Sequence, residues 1–378
     1  MEGWAFLDGF QSTWLTINQT PVKFHQSIKN RSSHRGNSRT NKGRSSWKVT
    51  TILLLSLCLL VEVNLLQSAE ALTQNDSIAA AINWLMLNQQ SNGSYGSFTE
   101  PQTAPAAYAM WIRFQDTAKV LLSYNWLKNQ LQNSTTWFWG GGGNLAEADI
   151  PGEILYTFSQ SQNLNMLNLL SGVTANLTKF QQSNGGFLGY FDTASNKQVT
   201  SSVDTAMALL GLISSNSLTV TKKQSAVNYL LSLQNPDGSF NLTKTLRSNA
   251  LYSLGPEPIS ITALVTLALK HASLSVSNST IISALNYLVA SASANFSGHV
   301  YAAALSLLVF SGFSDASEAT VADTFLLQQQ NSDGGFRDIV RSSAGSNALD
   351  TGWAIVALQL GGSICCNGGG GGRRPYLM

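Results

Sequence analysis

The residues of this 378-residue chain that could do chemistry stand before or inside the first turns of apolar, alanine-rich segments. They are Tyr108, Glu147, Asp149, Glu153, Asp204, Glu257, Ser260, His299 and Asp350. A carboxyl or hydroxyl at such a place accepts from free backbone N–H groups and favours the positive helix end, so capping competes with every functional reading. Asp204 and Asp350 share the phrase apolar-Asp-Thr-small, and they are the two candidates for a catalytic acid. A lone carboxyl at a helix start is expected to have its pKa lowered, which makes a poor acid. Trp137 and Trp139, just before Gly140–Gly143, could stack on a ligand. With Glu147, Asp149, Glu153 and Arg113 they could line a polysaccharide groove.

Metal and cofactor chemistry finds little support. The three cysteines, Cys58, Cys365 and Cys366, all lie outside residues 72–362, and neither His271 nor His299 has a Cys or a second His nearby. No zinc site, no other metal and no cofactor is expected. Residues 1–50 hold eight Lys/Arg against Glu2 and Asp8, whereas residues 72–362 hold twelve against sixteen Asp/Glu. That body has no basic face for nucleic acid. Charged residues make up only 11% of the chain, so Ser, Asn, Gln and Thr must cover the surface, as suits an exported protein.

Around these residues the chain repeats. Gln89, Gln181, Gln234 and Gln330 each begin the phrase Q-x-x-x-G-x-aromatic, which ends at Tyr95, Phe187, Phe240 and Phe336. Composition alone would produce about 0.2 such phrases by chance. A weaker copy starts at Gln132 and a degenerate one lies within 290–301, giving six units with a period of roughly 48 residues. Before each phrase runs an amphipathic helix; after it comes a helix apolar nearly all round. The Gly is expected to end the first helix, and the Gln amide to satisfy carbonyls that this helix leaves open. Six outer and six inner helices in alternation can close into an all-α α6/α6 toroid, with the inner helices around a central cavity.

The Gln-Gly-aromatic phrase, the GGF tripeptides at 185–187 and 334–336, and the two-helix period resemble the prenyltransferase and squalene (terpenoid) cyclase repeat superfamily. The resemblance covers residues 75–362 and implies the terpenoid cyclase/protein prenyltransferase-like toroid. Protein prenyltransferases use Asp, Cys and His on zinc, but here no Cys follows Asp350. Class II cyclases use a D-x-D-D-T-A-type phrase, of which Ser201-Ser202-Val203-Asp204-Thr205-Ala206 keeps only the end. Thioester domains of complement-type proteins need Cys-Gly-Glu-Gln, and the body has no Cys. The V-D-T-A and L-D-T-G phrases also resemble the helical domain of secreted vitamin B12 carriers, without the β-domain that closes over their ligand.

Residues 1–48 read as a disordered basic leader, 49–71 as a signal peptide or signal anchor, 72–362 as the toroid, and 363–378 as a Gly-rich tail. The apolar run within 49–66 has signal-peptide length, and only if uncleaved would it hold the chain to a membrane. Sequons at Asn75, Asn92, Asn133, Asn176, Asn241, Asn278 and Asn295 fit export or display on the extracellular face. The expectation is a secreted toroid that binds an apolar or amphipathic small molecule, or another extracellular protein, without catalysis. The alternatives are an enzyme of the terpenoid cyclase/prenyltransferase type and a B12-carrier-like or polysaccharide-active toroid. Several perturbed ionisable groups converging in the cavity would favour an enzyme, and an apolar cavity with ordinary carboxylates a binder.

Overall fold

The computed structural model describes residues 73–97, 99–115, 117–133, 147–161, 170–192, 195–246, 258–338 and 345–361. The expected leader, signal segment and tail with Cys365 and Cys366, the aromatic phrase with Trp137 and Trp139, and Glu257 lie outside the described residues.

Twelve α-helices alternate as outer and inner members among the described residues. The outer set is α1 (Gln74–Asn88), α3 (Ala118–Asn133), α5 (Leu170–Leu177), α7 (Val220–Leu231), α9 (Ser279–Ser293) and α11 (Ala316–Gln328). The inner set is α2 (Thr99–Phe114), α4 (Asp149–Ser161), α6 (Ser202–Ser214), α8 (Pro258–His271), α10 (Val300–Gly312) and α12 (Ala348–Gly361). Outer helices carry polar caps: Thr73, Thr219, Asn278 and Asp315 accept the N–H groups of Asp76, Lys222, Thr280 and Glu318. Inner helices are buried along nearly their whole length; in α10 every residue from Ala302 to Phe310 is out of solvent. Each inner helix packs on the next, and α12 packs on α2, which closes the ring. A Cβ on Gly352 of α12 would lie 2.6 Å from the backbone carbon of Pro105 in α2, so the closing contact is helix backbone on helix backbone.

The repeated phrase is the mortar of this ring. Gly93, Gly185, Gly238 and Gly334 have φ of +97°, +89°, +89° and +90°, the left-handed region expected of them. A Cβ on any of them would also strike the backbone of the next outer helix, at Leu122, Ser225, Ser283 and Ala80 respectively. The Gln amide does not serve its own helix end, as the sequence suggests. Gln89, Gln181, Gln234 and Gln330 donate to the carbonyls of Lys119, Lys222, Thr280 and Ser77, in the first turn of the next outer helix. The aromatic does a third job through its backbone. The N–H groups of Tyr95, Phe187, Phe240 and Phe336 donate to the hydroxyls of Thr103, Thr205, Thr262 and Thr351 on the following inner helices.

One departure from an all-helical body is a hairpin between α5 and α6. Strands β1 (Phe187–Asp192) and β2 (Lys197–Ser201) pair antiparallel, with an irregularity between Leu188 and Tyr190. The strand follows directly on the third repeat aromatic and ends at Ser201, which caps α6.

Candidate functional site at the amino-terminal rim

The first turns of α4 and α6 bring Glu147, Asp149, Glu153 and Asp204 together. Ser201 caps α6 by accepting the Asp204 N–H at 3.1 Å, and its own hydroxyl donates back to Oδ2 of Asp204 at 2.5 Å. Oδ1 of Asp204 accepts the N–H groups of Ala148 and Asp149 at 3.1 and 3.3 Å. Asp204 thus caps its own helix and ties down the start of its neighbour. Its carboxyl fills the space where a Cβ on Gly189 would stand, and that explains a glycine at the bulge of β1. Glu153, one turn into α4, accepts the indole N–H of Trp353 from α12 at 2.8 Å.

The expected pKa of Asp204 was in the wrong direction. Burial, and then the charge of Asp149, pushes it up to about 8 against three hydrogen bonds that pull it down. The helix-end effect is worth little beside the loss of water around a buried carboxyl. Burial raises Asp149 too, with only the Ile150 and its own backbone N–H opposing. Glu153 is pushed up to about 8 by burial, against the Trp353 hydrogen bond. Glu147 reaches about 8 through burial and then the charges of Asp149, Asp204 and Glu100. At neutral pH this cluster carries far less than its formal negative charge.

The opposite side of the rim has its own group. Asn347 caps α12 by accepting the Asp350 N–H at 2.9 Å, and its amide donates to Oδ2 of Asp350. The same oxygen accepts the backbone N–H of Asp338 at 2.8 Å. Asp338 in turn pairs with Nδ1 of His299 at 3.2 Å. Asp350 and His299 are therefore joined through Asp338, which sequence reasoning missed; it stands two residues after the repeat aromatic Phe336. Asp204 and Asp350 begin inner helices three units apart and do not meet. Ser260 is buried in the first turn of α8.

Tyr108 lies apart from both groups, in the middle of the ring. Tyr156 packs edge-on against Tyr108 and His271, with centroids 6.0 and 5.9 Å away, and lies nearly parallel to Trp353 at 6.4 Å. Tyr301 meets Trp353 edge-on from α10. Trp353, Tyr156 and Tyr108 are 0%, 2% and 3% exposed, so almost all of their surface is packed against neighbouring side chains. These rings form an aromatic plug between the inner helices. Burial also holds His271 neutral, with its pKa pushed down to about 4. Among the described residues no group of three His, Cys, Asp or Glu is arranged for a metal ion, and no helix is long and apolar enough to cross a membrane.

Comparison with known proteins agrees with the toroid fold. Residues 154–319 match the TED_complement family, described as the A-macroglobulin TED domain. The cysteines of this chain all fall outside that span. No curated protein sequence matches. Among solved structures, a protein from Actinoplanes superposes with a TM-score of 0.58 at 14% identity, covering 76% of this chain and 98% of the other. A type II terpene cyclase from Scytonema, solved with merosterolic acid A, superposes at 0.54 with 16% identity, covering 76% and 97%. The GH76A α-1,6-mannanase from Salegentibacter sp. HEL1_6 superposes at 0.51 with 8% identity, covering 77% and 99%. The family match and these structures share one fold, the α/α toroid, which proteins of different activities adopt.

Proposed function

We propose that this toroid is a binding module that takes an apolar or amphipathic ligand, or a partner protein, over its amino-terminal rim. The observation behind this reading is the plug: Tyr108, Tyr156 and Trp353 are buried against one another between the inner helices. Beside the plug, the Glu153 carboxyl, pushed up to about 8 by burial, is mostly neutral at physiological pH, and burial raises Asp149 in the same direction. A ligand with an apolar body and a hydroxyl or carbonyl end suits ring edges below and acid hydrogen bonds above. Mass spectrometry of small molecules extracted from the purified protein tests this. An amphipathic compound retained by wild type and lost in Glu153→Ala supports it; an empty protein that also captures no such compound from a lipid extract sinks it.

A second reading keeps the enzyme. The four acids with raised pKa meet the sequence-based criterion for one, and Asp204 in its neutral form has a proton to give. Turnover of an isoprenoid by wild type that disappears in a well-folded Asp204→Asn protein would establish that reading and displace ours.

The same proposal places the toroid outside the cytoplasm. Asn75, Asn92 and Asn295 are exposed and could carry glycans. Asn278 and Asn241 are engaged, the first in capping α9 and the second as acceptor for Asn235. A body that resists external protease on intact cells would overturn export.

A further inference from the structure

Away from the rim, the β1–β2 hairpin encloses a hollow of about 190 Å³ with Tyr229 of α7 and the turn at 243–246. Three rigid pieces form its walls. The irregularity at Gly189 leaves Tyr190 buried, and Val199 is its partner across the hairpin. The Tyr229 hydroxyl donates to the Thr200 carbonyl at 2.8 Å, which fixes that ring against β2. The turn is closed by Thr243 N–H to the Leu246 carbonyl and by the Leu246 N–H to the Thr243 hydroxyl. The Ser202 N–H holds the preceding carbonyl of Leu242, so the turn is anchored to the start of α6.

We propose that this hollow is a second binding site, for a single polyhydroxylated ring such as a monosaccharide. Its size suits a single ring rather than a drug-sized molecule, whose pockets run to roughly 300–1,000 Å³. Val199 and Leu246, half-buried, and the edges of the buried rings of Tyr190 and Tyr229 line it with apolar atoms, which suits the C–H groups of a sugar ring. Asp192, whose Oδ2 also accepts the Ser195 hydroxyl, stands around it with Lys244 and Thr243 as acceptor, donor and hydroxyl. A carboxylate and an ammonium at one small site cancel in net charge, so the site favours neither a simple anion nor a simple cation. A neutral polyol uses both, because each of its hydroxyls donates and accepts.

The test is titration of the 15N-labelled full-length protein with glucose, mannose, galactose and N-acetylglucosamine, followed by amide chemical shifts. At least one sugar is expected to shift residues 190–192, 199–200, 229 and 243–246 together. Lys244→Ala, a change at an exposed side chain, is expected to weaken that response about tenfold with the remaining spectrum unchanged. Tyr229→Phe, which keeps the ring, is expected to weaken it less. The proposal is overturned if no sugar shifts these residues at millimolar concentration, or if Lys244→Ala binds as wild type does. It is also overturned if cyclohexylmethanol, with one hydroxyl on a ring of the same size, produces an equal response.

Discussion

The indole N–H of Trp353 donates to Oε1 of Glu153 over 2.8 Å, joining the last inner helix to the second across 200 residues of chain. That bond sets the aromatic plug and the acidic rim against each other. The ring that blocks the centre is held by the carboxyl that faces the rim cluster.

Stability should fall as pH rises from about 6.5 to 8. Glu147, Glu153 and Asp204 bind a proton in the folded state up to about pH 8 but lose it near 4 when unfolded. The folded state therefore holds more protons across that window, and the stability this confers is lost as pH passes the folded value. His271, pushed down to about 4, acts in the opposite direction but only below its unfolded value of 6.5. Thermal midpoints at pH 6.5 and 8 should differ accordingly. Glu153→Gln keeps an acceptor for Trp353 and should flatten the slope; a slope unchanged in that variant would place the proton elsewhere.

Asp204→Asn should fold with a loss within about 1 kcal/mol at neutral pH, because the amide resembles the protonated acid and still accepts one side's N–H groups. Asp204→Ala strands the N–H groups of Ala148 and Asp149 in a buried place and should cost about 2 kcal/mol or more. Denaturant midpoints of the two variants separate these outcomes. Equal losses would mean that the carboxyl is not the tie between α4 and α6.

Gly238→Ala should be costlier than Gly345→Ala. Both residues have positive φ, but a Cβ on Gly238 would stand 2.1 Å from the Ser283 carbonyl oxygen, whereas one on Gly345 meets nothing within 4 Å. Conformation alone costs about 1–2 kcal/mol, and the clash adds about 1–3. Chemical denaturation of the pair measures the difference, and equal losses would leave only the backbone penalty.

Gln330→Ala should lower stability by about 1–2 kcal/mol, since its amide bridges the Ser77 and Gly334 carbonyls at 2.8 and 2.7 Å. Gln330→Glu should do worse, because a carboxylate would face two carbonyl oxygens. If Gln330→Glu proved as stable as wild type, the amide bridge would not be closing the ring.

The ring was legible because its signal is local and recurs. Gln, Gly and the aromatic lie within seven residues, and their copies fix the alternation of the helices. What the Gln does was not legible. Its partners, such as Ser77 for Gln330, are 253 residues away, and a polar amide near a helix end reads first as a local cap. The hairpin was missed because repetition suggests equal units; the fourteen residues between Phe187 and Ser202, against three between Tyr95 and Thr99, were its mark. For the site, sequence placed Asp204 and Asp350 at helix starts but could not see that Asp149 would be the neighbour of one and Asp338 the link to the other. The sign of the Asp204 pKa depended on the water lost around it, a quantity set by tertiary packing. Tyr156 and Trp353 looked like ordinary members of apolar helices, and only the curvature of the ring turns them toward each other.

Because Gln74, at the start of α1, donates its side-chain amide to the Leu358 carbonyl near the end of α12, the chain leaves the ring beside the point where it entered. Such a domain has no obligatory first unit. The order of its six units around the circle could be rotated by cutting one junction and joining residues 73 and 361 through a short linker, and the same packing would result. For the same reason it could be spliced into a surface loop of another protein without parting the strands or helices on either side, much as a bead is tied to a cord by a single knot.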